Sequence, residues 1–332
     1  MSAVRTLTPY MEDYAGEFAD AGNVHWLPYI MYFHPYNYAS KTVNTDAIGF
    51  RFSEARGATR SVGTIDREQP VRLIVGSSTV FGIGASADRH TLASRLTEND
   101  SRPAVWLNFG GRSFNSSQEL ILFTLHRHRL PKVEEIVLFS GFNNLGLARL
   151  PAQLRMEHGA FFLCREFFDA MGKKKPSTFG TWFRRGNDVA EVVPSMEEQL
   201  DYAADVTLRH LDIWRALAKD MGAKLTFILQ PLANWVRDKG STEEEALFAE
   251  LEKAGRFSET YGDILARKTY LSFADRLRTG AEAMGVSFHD MAKVLAEASS
   301  PDQWLFVDRI HFTDSGHDLV SKLILNLTKT RM

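Results

Sequence analysis

Cysteine is nearly absent: Cys164 is the single one in 332 residues, so no internal disulfide can form and no thiolate cluster can hold a metal. Nowhere is there a run of about 18 apolar residues, the length a membrane-spanning helix needs. The opening stretch MSAVRTLTPYMEDYAGEF carries acids and lacks the apolar core of a secretory leader, so a cytoplasmic location is the expectation. Positive charge is not in excess either. Lys and Arg number 39 against 41 Asp and Glu, a formal net charge of -2, which leaves no basic footprint for nucleic acid. Internal repeats and low-complexity tracts are missing. What is there, 44% hydrophobic residues in a chain of this length, suffices for one large core or two modest ones.

Strand-like apolar runs near residues 72–75, 104–109, 135–140, 223–229 and 286–289 alternate with helical segments over about 90–99, 116–129, 196–221, 243–256, 264–284 and 316–328. This alternation predicts an α/β fold, a mostly parallel five-stranded sheet between two layers of helices. In the long helix Leu200, Ala204, Leu208, Leu211, Trp214, Leu217 and Ala218 recur at helical spacing and read as core.

The first of these runs carries the chemistry. In VRLIVGSSTVFGIG, Val71 to Gly84, a short β-branched strand ends in Gly76 and then Ser77 and Ser78. Glycine lets the chain turn sharply, and the carboxyl end of a strand is where open α/β sheets bind ligands. A serine there is placed to act as nucleophile if a base takes its proton. A base lies near the other end, in WLFVDRIHFTDSGH, where Asp308 precedes His311 by three residues. On tight backbone that spacing lets the carboxylate hold one imidazole nitrogen while the other faces a serine. Thr313, Asp314 or Ser315 can cap the helix that follows.

Two further segments follow strand-like runs and can supply donors to a developing oxyanion. VWLNFGGRSFNSSQ offers Asn108, Gly110, Gly111 and the small residues after them; IVLFSGFNNL offers Asn143 or Asn144. Glycines and asparagines after strands also make plain turns. Other motifs fail on detail. Gly82, Gly84 and Ala87 spell GxGxxA, but the first glycine lies several residues beyond the strand end. A P-loop lysine is missing, and Val80 stands where the nucleophile elbow GxSxG needs its last glycine. His126 and His128 sit among basic residues and read as solvated helix side chains. No metal or cofactor is expected.

These segments, in this order, resemble the blocks of the SGNH (GDSL-type) hydrolases. The first block, GDSxxxG, falls on Gly76, Ser77, Ser78 and, four residues on, Gly82, which places the family's nucleophile on Ser78. The second matches at Asn108 and Gly110, with Ser113 where the family has a glycine whose amide lines the oxyanion hole. The third, GxND, falls on Gly141, Phe142, Asn143 and Asn144, and the fifth, DxxH, on Asp308 and His311. The resemblance implies a triad of Ser78, His311 and Asp308 and an oxyanion hole from the amides of Ser78 and Ser113 with the Asn143 side chain. Ser77 and Asn144 replace family aspartates, leaving a less acidic pocket. Ser77, Gly110, Gly111, Asn144 and Gln230, which ends the fourth strand-like run, are candidate substrate contacts; Gln230 can equally close a turn before Pro231.

Two additions flank this scaffold. Residues 1–65 are rich in aromatics, with Asn44 and Gly49-Phe50-Arg51 upstream of the serine block, a pattern similar to SGNH proteins associated with bacterial surface glycans. It reads as a cover on the sheet or a surface for sugar or acyl groups. The hydrolase domain would span 66–332, with a lid-like insertion at about 150–194 that mixes Phe161, Phe162 and Trp182 with Lys173, Lys174 and Lys175. Trp235 and Arg237 are placed to line the same cleft. The expected activity is hydrolysis of an acetyl or short-chain O-acyl ester on a carbohydrate or related small molecule. Acyl transfer to a glycan by the same triad, or binding without catalysis, are the alternatives. The sequence leaves the oligomeric state open.

Overall fold

The computed structural model describes residues 2–18, 25–103, 105–151, 155, 157–164, 193–255, 257 and 261–329. Most of the lid-like insertion, including Trp182 and the lysines at 173–175, falls outside the described residues.

Two small antiparallel hairpins come first, β1 (His25–Leu27) with β2 (Met31–Phe33) and β3 (Ser53–Ala55) with β4 (Ala58–Arg60). The sheet is built from β5 (Val71–Gly76), β6 (Val105–Gly110), β7 (Val133–Ser140), β8 (Lys224–Leu229) and β9 (Ser287–Asp290), in the order β6-β5-β7-β8-β9 and parallel throughout. Strands β5 and β6 are buried at every residue, as a sheet covered on both faces requires. The helices fall into two contacting groups. Ser116–His126, Met196–Met221 and Arg267–Ala283 form one; Leu92–Asn99, Asp314–Thr328 and Met291–Ala298 form the other. Met196–Met221 and Met291–Ala298 both touch β8 from different groups, so each group covers one face and the molecule has three layers. Among the described residues no helix is long and apolar enough to cross a membrane.

Local chemistry sets the element ends. The long helix starts at a capping box in which Ser195 and Glu198 satisfy each other's amides, and it stops at Gly222 with φ 64°. Its apolar stripe is buried at Leu200, Ala204, Leu211, Trp214 and Ala218, with Leu208 and Leu217 packed against the same core. The last helix begins at Asp314, two residues earlier than the spacing predicts, because Thr313 is its cap and accepts from the Gly316 amide.

The connections reverse direction at β5. The chain leaves β5 for β6 on one side and returns past it to β7 on the other. In parallel sheets such a reversal opens a crevice at the carboxyl ends of the two central strands. Gly76, Gly110 and Phe139 stand side by side there in register. Of the residues before β5, Ile30, Tyr32, Phe33, Phe50 and Val62 belong to the same buried cluster as the sheet, whereas Tyr14, Phe18 and Val43 form a second, smaller cluster with Phe81 and Ile83 of the segment after β5.

Candidate active site

Strand β5 must end in glycine, since a Cβ on Gly76 would lie 2.2 Å from the carbonyl oxygen of Phe139. Ser77 then stands at the start of a single helical turn, Ser78–Phe81, which Gly82 closes in the left-handed region at φ 99°. The glycine four residues after Ser78 is thus the point where that turn is broken off. Both Gly82 and Ile83 return their amides to the Ser78 carbonyl, at 2.9 and 3.0 Å.

At the other end of the chain Phe306 and Phe312 form an antiparallel bridge, and the Val307 amide donates to the His311 carbonyl at 2.9 Å. This pinches Asp308 to Ile310 into a tight loop. Asp308 Oδ1 accepts the amides of Ile310 and His311, both at 2.7 Å, and Oδ2 takes His311 Nδ1 at 2.7 Å. With the ring proton on Nδ1, Nε2 is the acceptor, and it lies 2.8 Å from Ser78 Oγ. Burial works to raise the Asp308 carboxyl, but the His311 ring and the loop amides outweigh it and hold the acid below its ordinary range. The loop is held from behind by Glu244, whose Oε1 accepts the Leu305 and Phe306 amides at 2.8 and 3.0 Å.

Asn143 follows β7 and Ser113 follows β6, the strands on either side of β5. The Asn143 amide donates to Phe114 O at 2.6 Å, which uses one of its two hydrogens. Ser113 adopts φ 57°, a left-handed conformation that costs a non-glycine residue roughly 1 kcal/mol; here the Tyr32 hydroxyl holds its carbonyl at 3.1 Å.

Five residues expected to contact substrate have their polar groups spent inside the protein. Ser77 Oγ donates to Gln230 Oε1 at 3.1 Å, and Gln230 Nε2 donates to Thr79 Oγ1 at 2.8 Å. Gln230 therefore staples the serine turn from below. Asn144 accepts the Ser116 amide and donates to Ser116 Oγ and Thr207 Oγ1, tying the third block to the long helix. The Gly110 amide goes to Asn108 Oδ1 at 2.9 Å and the Gly111 amide to Gly76 O at 3.0 Å. Ser77 is 2% exposed where Ser78 is 9%, and only Ser78 meets His311. Trp235 does not line the cleft: it stacks on Tyr270 and donates to Ile264 O. Arg237 pairs with the buried Glu244. His128 is exposed, whereas His126 packs edge-on against Phe50, and burial lowers it to about 4. Among the described residues no group of acids, histidines and cysteines is arranged to hold a metal.

Glu119 is a buried acid near the end of β7 that no sequence motif marks. It lies three and four residues before Leu122 and Phe123, on the apolar face of its helix, and that spacing was the available signal. Burial pushes its carboxyl up to about 8, against the opposing hydrogen bond from Ser140 Oγ at 2.7 Å. The folded protein therefore keeps a proton that the unfolded chain releases above about pH 4.5. Stability should fall by about 1.4 kcal/mol per pH unit from this group as pH rises from the unfolded to the folded value. Urea unfolding at pH 5 and pH 8 should show the wild type losing stability relative to Glu119→Gln as pH rises, since the buried histidines contribute alike to both proteins and cancel in the difference; a difference that does not change with pH would refute the buried acid.

No protein-family model and no curated protein matches the chain. Solved structures do. A lipolytic protein of the G-D-S-L family from Veillonella parvula aligns with a TM-score of 0.46 and 11% identity over 79% of this chain and 100% of its own. An extracellular lipase from Streptomyces rimosus aligns at 0.44 and 13% over 79% and 100%. A putative acylhydrolase from Bacteroides fragilis aligns at 0.42 and 15% over 80% and 89%.

Proposed function

We propose that the chain is a serine ester hydrolase of SGNH type, with Ser78 as nucleophile, His311 as base and Asp308 as the acid that orients it. The observation that carries this is the unbroken chain from Ser78 Oγ to His311 Nε2 at 2.8 Å and from His311 Nδ1 to Asp308 Oδ2 at 2.7 Å. Ser78 attacks the ester carbonyl as His311 takes its proton. The amides of Ser78 and Ser113 and the second hydrogen of Asn143 Nδ2 receive the oxyanion. His311 then returns the proton to the departing alcohol, and water, deprotonated by the same imidazole, releases the acid from Ser78. The favoured substrate is an acetyl or other short-chain ester on a carbohydrate or related small molecule.

The test pairs labelling with a substrate panel. A fluorophosphonate should add once, on Ser78, and p-nitrophenyl acetate should be cleaved at least about tenfold faster than the octanoate. Acetylated oligosaccharides should release acetate at a rate that added sugar acceptor leaves unchanged. No label on Ser78 would refute the nucleophile, and turnover only in the presence of acceptor would make the chain an acyltransferase.

A further inference from the structure

The serine turn is four residues long, too short to hold itself together. Its beginning is fixed by β5. Its end is fixed by residues that precede the sheet in sequence. Arg51, 1% exposed, points Nη1 at the last carbonyls of the turn, 2.9 Å from Gly82 O and 3.3 Å from Phe81 O. These are the acceptors that a helix end leaves unsatisfied and that a cation suits. The same guanidinium gives Nε to Asp88 Oδ1 at 2.8 Å and Nη2 to Thr42 O at 2.6 Å. Asp88 is held in turn by Asn44 Nδ2 at 2.7 Å. Tyr14 completes the grip, its hydroxyl 2.6 Å from Ala85 O, 2.9 Å from Gly82 O and 3.1 Å from Arg51 Nη1. Phe81 itself is wedged against Phe18 and His34 of the same leading segment.

The loop that carries Ser113 is gripped likewise. His34 Nε2 accepts the Arg112 amide at 3.1 Å while its Nδ1 donates to Gly49 O at 3.1 Å. That arrangement needs a neutral ring, and burial lowers this histidine to about 3. Asn44 and Arg51 belong to the segment expected to act either as a cover on the sheet or as a surface for sugar or acyl groups, and both are turned inward.

We propose that Arg51 is a positioning residue for Ser78: by holding the carbonyl end of the turn from the leading segment, it sets the distance between the serine hydroxyl and His311. This rests on Ser78 being the nucleophile. A lysine cannot replace it, because one ammonium cannot serve Asp88, Thr42 and two carbonyls that a planar guanidinium reaches from separate nitrogens.

Arg51→Lys and Tyr14→Phe test the proposal in the full chain, with circular dichroism and thermal melts giving the folded fraction. Tyr14→Phe leaves the Arg51–Asp88 pair intact and keeps the variant set informative if Arg51→Lys fails to fold. Per folded molecule, kcat on p-nitrophenyl acetate should drop about 10- to 100-fold in Arg51→Lys and several-fold in Tyr14→Phe, with KM within about threefold. Fluorophosphonate labelling of Ser78 should slow in step. A purely structural role would lower the melting temperature and leave the labelling rate of folded protein unchanged, which overturns the proposal. A wild type that takes no label at Ser78 overturns the hydrolase reading itself, and this proposal with it.

Discussion

Replacing Ser78 by alanine is expected to lower kcat/KM for ester hydrolysis by about 10,000-fold or more, the scale at which removal of a serine nucleophile leaves only binding and oxyanion contributions. The fold should survive. The Ser78 side chain makes one hydrogen bond, to a histidine that Asp308 still orients and whose side chain is 14% exposed. Losing it costs on the order of 1 kcal/mol, because water can reach the imidazole in its place. A melting temperature within a few degrees of wild type, an unchanged circular dichroism spectrum and an absent fluorophosphonate adduct are the expected set. Retained turnover would end the assignment, and Ser77 offers no fallback, since its hydroxyl faces Gln230.

Gly110→Ala should do the largest damage to stability. A Cβ there would sit 2.0 Å from the Phe81 amide nitrogen, 2.5 Å from Phe81 Cα and 2.6 Å from the Val80 carbonyl carbon. Every one of these is backbone, so no rotamer change relieves the clash; either the end of β6 or the whole serine turn must move. We expect a loss of about 3 kcal/mol or more, at the upper end for overpacking, read as a fall in the urea midpoint or a collapse of soluble yield. Gly255→Ala is the matched control, since nothing lies within 4 Å of its would-be Cβ and it sits at the end of a helix; it should be neutral or slightly stabilising. Equal behaviour of the two would show that the contact at Gly110 is not as close as described.

Strands β5 to β8 were legible because each is an apolar run closed by a turn residue, and the ends of all five sheet strands shift by only a residue or two. The hairpins of β1 to β4 were not legible. Strands of three residues carry too little alternation to stand out from aromatic-rich loop. The Met291–Ala298 helix escaped for a related reason: its cap, Asp290, is also the last residue of β9, so no break in pattern separates strand from helix. At the site, the approach of Asp308 to His311 is local geometry that a three-residue spacing encodes. The inward turning of Gln230, Asn144 and Arg51 is not local. Polar side chains after a strand look alike in sequence whether they face a cleft or a neighbouring segment, and partners 153 residues apart, as for Ser77 and Gln230, decide between them. Glu119 shows the same limit from the other side, since a charged residue on an apolar face is readable only if the spacing is trusted over the charge.

The position of β6 at the end of the sheet has a bearing on association between copies. An end strand with free amides is a template on which another chain can pair. Here the Trp106 amide is taken by Thr97 Oγ1 at 3.0 Å and the Gly110 amide by Asn108 Oδ1 at 2.9 Å. The rim is also overlaid by the Leu92–Asn99 helix and touched by β3. Two amides that would recruit a foreign strand are occupied by the chain's own side chains. This border of the sheet therefore opposes strand addition with groups of its own chain.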